Sequence, residues 1–199
     1  MDRIALKTAA KQQIKGKMGI VFLMNLAMIG IIMLVSFVPV VGGLANNIFF
    51  SPVFAISLTM VYLNISVGKE VKFEDIFEGF YHFWSAFKLT FFTSLFTSLW
   101  TLLLIVPGII KSFSYAMAYY IWAENKEMGA LEAITKSRQM MEGHKMDLFV
   151  LSLSFLGWIF LTALTFGIAG IYTIPYMEVT FVNFYHSIKG EAQTEILLN

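Results

Sequence analysis

The chain has 199 residues, a formal net charge of +1 and no cysteine. Hydrophobic side chains make up 58% of it and charged ones 14%, against about 25% charged in an ordinary soluble domain. This balance points away from nucleic acid, excludes disulfides, thiolate metal sites and cysteine nucleophiles, and suits one domain spanning residues 1–199.

Residues 2–16 set Leu6, Ala9, Ala10 and Ile14 against Lys7, Lys11 and Lys15, the pattern of an amphipathic helix lying at a membrane interface. From Met18 to Gly68 there is no charged side chain. A hydrocarbon core of roughly 30 Å is crossed by about 20 apolar residues in a helix, so this stretch is long enough for two crossings. The spans fall at about Met18–Val38 and Ile48–Val67, with Pro39, Gly42 and Gly43 at the turn. The first apolar run exceeds a signal-peptide core of about 7–15 residues and lacks a small-x-small cleavage site, so it reads as an uncleaved first span.

Residues 71–84 form a more aromatic interfacial segment, with Phe73, Ile76, Phe77, Phe80, Tyr81 and Trp84. Span 3 is expected at about Ala86–Val106 and span 4 at Ile109–Ala123, joined at Pro107-Gly108. A third amphipathic helix follows, with Met128, Leu131, Ile134 and Met141 on one face and Glu132, Lys136, Gln139 and Glu142 on the other. Span 5 is expected at Met146–Phe166 and span 6 at Gly170–His186, with Gly167 and Gly170 at the turn. The fold class is all-α: six transmembrane helices as three hairpins, each preceded by a cytoplasmic amphipathic helix. The hairpins read as pseudo-repeats of about 1–68, 69–125 and 126–190, with Gly16 and Gly143 closing corresponding amphipathic helices. Lysine and arginine crowd the N-terminal segment, the inter-hairpin segments and the tail, while the hairpin turns hold only Lys111. Both termini are therefore expected in the cytosol of a multi-pass cell-membrane protein, with Trp84 and Trp122 at the inner boundary.

Few residues could carry chemistry. Glu178 lies about eight residues into span 6, roughly 12 Å along the helix. An ionisable group at such depth is costly and marks a candidate site. Lys111, near the outer end of span 4, differs from it in depth by about five residues or roughly 7 Å, so its side chain either snorkels or reaches toward Glu178. A relay or headgroup contact stands beside a structural pair or a neutral glutamic acid. Thr90, Thr93, Ser94, Thr97, Ser98 and Thr101 share one face of span 3. That face suits close helix packing or the lining of a wet cavity. His82, His144 and His186 have no ligand spacing, so no metal is expected, and no cofactor motif appears. Nucleophile elbow, Walker loop and His-Glu-x-x-His are all missing.

Pro107-Gly108-Ile109-Ile110, Ser114-Tyr115, Glu132-Ala133-Ile134 with Ser137, Met141 and Gly143, Leu151-Ser152-Leu153-Ser154-Phe155, and Pro175-Tyr176 with Phe184-Tyr185 together resemble a bacterial integral membrane family, domain of unknown function 975. That family is similar in layout to the membrane domain attached to some glycerophosphodiester phosphodiesterases. The likeness covers nearly the whole chain. It implies six spans, no assigned activity and no catalytic set to carry over.

Two functions are weighed on these residues. One is a non-enzymatic membrane module: a scaffold, an accessory subunit or a factor in envelope stress, with membrane lipids and another membrane protein or a second copy as partners. The other is a small-solute, ion or lipid carrier working around Glu178. A cavity reaching Glu178 and the Thr90–Thr101 face favours the carrier, and a sealed Glu178 favours the module. An intramembrane enzyme acting on lipid headgroups finds no nucleophile or metal set to support it.

Overall fold

The computed structural model describes residues 2–38 and 41–198, the side chains at 41, 44 and from 191 onward excepted. Helix accounts for 83% of it, and no strand occurs among the described residues. The helices are α1 (Arg3–Ile14), α2 (Met18–Ser36), α3 (Val41–Ala45), α4 (Ser51–Ser66), α5 (Glu78–Tyr81), α6 (Phe83–Leu103), α7 (Ile105–Tyr115), α8 (Ala118–Glu124), α9 (Ala130–Met140), α10 (Lys145–Leu153), α11 (Leu156–Leu164) and α12 (Gly170–Leu198).

Local chemistry explains the boundaries. Asp2 caps α1, its Oδ1 accepting the Ile4 and Ala5 backbone N–H groups at 3.0 and 3.1 Å. Gly16 ends the turn after α1 and Gly143 the turn after α9, both at φ +83°, a left-handed conformation that a Cβ disfavours. Pro52 has no N–H to offer a carbonyl one turn back. The turn before it, Asn46–Phe50, is π-helical, and the Ser51 N–H reaches Asn46 C=O. Pro39, placed in the first turn by the sequence, lies outside the described residues.

Several expectations need correction. The turn after span 3 is made by Leu104, an extended residue at φ −158°, ψ 135°. Pro107 and Gly108 sit instead in the first turn of α7, where a missing N–H costs nothing. Span 4 is not one helix but α7 and α8, broken at Ala116 and Met117. Ser137 of α9 mends the break: its hydroxyl donates to Ser114 C=O at 2.8 Å and accepts the Met117 N–H at 3.2 Å. Residues 71–84 are a 3-10 turn (Phe73–Phe77), α5 and the start of α6, not a single amphipathic helix. Gly79 explains their course, because it presses on α4 where a Cβ would meet Val53 C=O at 2.3 Å. Its N–H donates to buried Ser57 Oγ at 2.9 Å.

α12 is the central helix. Val179, Val182 and Phe184 are fully buried, with Tyr176, Tyr185 and Ile188 nearly so. Contacts come from α1, α4, α9 and α11. The amphipathic helices pack their apolar sides on this bundle. α1 buries Ala10 and Ile14, and Asn183 Nδ2 ties it to α12 by donating to Gln13 Oε1 at 2.8 Å. Lys7 Nζ donates to Ser154 C=O at the end of α10, at 2.9 Å, and lies 4.1 Å from the Phe155 ring centre. Burial foremost, then the charges of Lys11 and Arg3, lower the Lys7 pKa. α9 buries Ala133, Ile134 and Ser137, with Met141 just beyond it also covered, but Leu131, expected on the same face, is half exposed. Trp122, expected in an interfacial belt, is buried against His82, whereas Trp84 is exposed.

Four stretches are long and apolar enough to cross a membrane among the described residues: Met18–Ser36, Asn46–Ser66, Phe83–Leu103 and Lys145–Leu164. They correspond to expected spans 1, 2, 3 and 5. α12 is long enough but carries Thr173, Tyr176, Glu178, Asn183 and His186, which keep it out of that apolar class.

Candidate functional site

Glu178 projects from α12 beside a cavity of about 260 Å³. α4 supplies Ala55, Leu58, Thr59 and Tyr62, the α7–α8 break supplies Ala116, Tyr119 and Tyr120, and α12 adds Ile174. The break is what brings the aromatic groups in. It turns the chain between Tyr115 and Ala118, so that Tyr119 and Tyr120 enter the bundle at successive positions of α8. The Tyr120 hydroxyl donates to Glu178 Oε2 at 3.4 Å, a long contact for this pair. The Tyr62 hydroxyl is buried and, among the described residues, has no hydrogen bond of good geometry; Asn25 lies near it but directs its Nδ2 to Val21 C=O at 2.8 Å. A second cavity, of about 220 Å³, lies on the other side of Ala116 and Tyr120 and reaches α10.

The residues singled out in the sequence do not all meet here. Thr90 does, indirectly: its Oγ1 accepts the Tyr119 hydroxyl at 3.0 Å. The remainder of the hydroxyl face serves other ends. Thr101 donates to Thr97 C=O at 2.8 Å and packs on Gly108, where a Cβ would come within 2.2 Å of its Oγ1. Thr93 Oγ1 is buried and without a partner, while Ser94 and Ser98 face outward. Close packing of α6 on α7 accounts for the Thr101 end of the stripe, and the cavity meets only the Thr90 end. Lys111 does not approach Glu178. Its Nζ lies 4.7 Å from the Trp100 ring centre, because α7 runs directly back along α6 and carries Lys111 to that helix's end.

Tyr62, Tyr119 and Tyr120 were missed. Their signal was present: tyrosines lying within spans 2 and 4 carry hydroxyls that need a partner in hydrocarbon. A second polar region joins the ends of α4, α8 and α12. Lys126 pairs with Glu78, Lys189 pairs with Glu124, the Tyr185 hydroxyl donates to Glu124 Oε2 at 2.6 Å, and His186 Nε2 lies 3.1 Å from Ser66 Oγ. Of these, Glu78, Glu124, Lys126 and His186 line a cavity of about 350 Å³. The three histidines are engaged separately, and among the described residues no acidic and histidine groups cluster as metal ligands would.

An all-helical chain with four long apolar helices and its carboxylate turned inward fits the class of helical membrane proteins. It belongs to the family described as protein of unknown function (DUF975), which matches residues 1–111 and 101–192. That match does not extend to the phosphodiesterase membrane domain, and the expected likeness to it is not shown. No curated protein and no solved structure matches the chain.

Proposed function

We propose that the chain is a non-enzymatic integral module of the cell membrane, crossing it six times as three hairpins, with both termini in the cytosol. One observation carries the reading: large apolar side chains cover the outside of the bundle as well as its core, while Glu178 and its tyrosines are turned inward. Leu23, Leu26, Ile29 and Met33 of α2 and Ile159, Phe160 and Leu164 of α11 face outward, while Glu178 and the tyrosines face in. Water would penalise that surface and hydrocarbon does not. In this reading α7 with α8, and α12, are the two crossings whose polarity is sheltered by their neighbours. The matching glycine turns at Gly16 and Gly143 support a common ancestry for the first and third hairpins. Its partners are membrane lipids and another membrane protein or a second copy of itself.

The missing cysteines make topology directly testable. Single cysteines at Val106 and Ile168 should react with an impermeant maleimide on intact cells, and one at Lys136 only after permeabilisation. Labelling of Lys136→Cys from outside would refute the orientation. Purification in mild detergent should retain a protein partner or a self-associated form; a lone monomer would refute the scaffold role.

A second reading, a carrier of small solutes or lipids, draws support from the cavity at Glu178. Reconstituted vesicles separate the two, since a scaffold moves no solute.

A further inference from the structure

Among the described residues Glu178 has no counter-ion: no lysine, arginine or histidine of theirs pairs with it, and Lys111 is held on Trp100. Its one bond, from Tyr120, is long and leaves most of the carboxylate's acceptor capacity unused. Beside it the cavity presents tyrosine rings, the orphaned Tyr62 hydroxyl and apolar Ala55, Leu58 and Ile174. A carboxylate next to aromatic walls is the chemistry that holds organic ammonium groups, which are drawn to ring faces within about 6 Å.

We propose that this cavity binds a lipophilic organic cation, an ammonium group with an apolar body, its charge set against Glu178 and the rings of Tyr62, Tyr119 and Tyr120. Size permits it: a cavity of about 150 Å³ takes benzene, and this one is about 260 Å³. Access permits it too, because Ile174 at the mouth is 48% exposed on the outer, apolar surface of the bundle, so that an amphiphile enters from the bilayer. Small hydrated metal cations are disfavoured, since a single carboxylate and phenol oxygens fall short of the six or more oxygens such ions demand. The proposal deepens the carrier reading by naming the ligand class; it rests on that reading's cavity and not on movement across the membrane.

The test uses the full chain in lipid nanodiscs, with benzyltrimethylammonium as probe and its uncharged isostere neopentylbenzene as control, read by titration calorimetry against empty discs. The charged probe should bind saturably and the isostere at least tenfold more weakly. Glu178→Gln should weaken the charged probe at least tenfold while the thermal melt keeps its cooperative transition. Ala55→Leu, which fills the cavity and leaves the carboxylate, should abolish binding. Absence of saturable binding, equal binding of the isostere, or undiminished affinity in either variant overturns the assignment. Should Glu178→Gln fail to fold, the isostere and Ala55→Leu still decide. Uptake into vesicles is read separately. Binding without uptake ends the carrier reading and keeps the site; uptake of another solute without binding of this probe ends the site and keeps the carrier.

Discussion

α2 and α12 are built on opposite plans. α2 has no charged residue and contains the most uniformly apolar run of the chain, yet only 17% of its apolar window is buried. Between Gly170 and His186, α12 carries Glu178, Asn183, His186 and three tyrosines, and it is the helix around which the others assemble. α6 behaves like α2, with 11% buried, whereas Asn46–Ser66 reaches 56%. In a soluble protein the most apolar helix goes to the centre. Here the centre also takes in the polar groups of α12, and much of the most apolar helix is left on the outside, where hydrocarbon would solvate it at no cost. Hydropathy in this chain thus identifies what faces lipid, and side-chain hydrogen-bonding capacity identifies what faces protein.

The sharpest way to break this contrast is truncation to alanine in each helix. Phe184→Ala, at the fully buried centre of α12, should cost about 3–5 kcal/mol, the range for emptying an aromatic site in a packed core. Ile29→Ala on α2, 54% exposed, should cost under about 1 kcal/mol, since lipid fills the gap. Reversible unfolding in mixed micelles measures both, and equal costs would mean that α2 is covered by protein. Next comes Gly79→Ala. The added methyl meets Val53 C=O at 2.3 Å and Ser57 Oγ at 2.7 Å, and backbone cannot yield as a side chain does, so about 2–3 kcal/mol of overpacking is expected. Ser137→Ala should follow at about 2 kcal/mol, because it strands one carbonyl and one N–H at the α7–α8 break. Tenfold faster amide exchange at Met117 would locate that loss.

Windows poor in charge made the four long apolar stretches legible to within a few residues, although Phe83–Leu103 keeps Lys88 and Lys145–Leu164 keeps Lys145 and Asp147. The α7–α8 break was not legible. Nothing between Ile105 and Glu124 forbids a continuous helix, and the break is held by Ser137, which is distant in sequence. For Lys111 the sequence left two courses open, snorkelling or reaching toward Glu178, because counting residues along a span gives depth but not the neighbour a side chain meets; its Nζ lies 4.7 Å from the Trp100 ring centre. Glu178 was found because a lone carboxylate stands out in an apolar run. Its tyrosines were not, because tyrosine is as common at a membrane boundary as inside a bundle. The hydroxyl stripe was read as one face, but periodicity does not say which neighbour covers each position, and Ser94 and Ser98 lie exposed while Thr93 Oγ1 is buried. Thr90 meets Tyr119, and Thr101 meets Gly108.

The smallest effect is the most informative about the site. Tyr120→Phe keeps the ring and removes only the hydroxyl that reaches Glu178 at 3.4 Å. Hydrogen bonds between membrane helices average about 0.6 kcal/mol, and a contact this long should give no more. Tyr119→Phe, which removes a 3.0 Å bond to Thr90, should cost at least as much. If the carboxylate depended on Tyr120 as its sole stabilising partner, Tyr120→Phe would instead approach the cost of stranding a buried charged group, about 3 kcal/mol or more. A small loss therefore means that Glu178 does not depend on the Tyr120 hydroxyl, the result expected of a neutral glutamic acid as well as of an occupied cavity. The double variant Tyr119→Phe with Tyr120→Phe separates the cases: costs that add show two independent bonds, and a coupling above about 0.5 kcal/mol shows that the two hydroxyls belong to one network around Glu178.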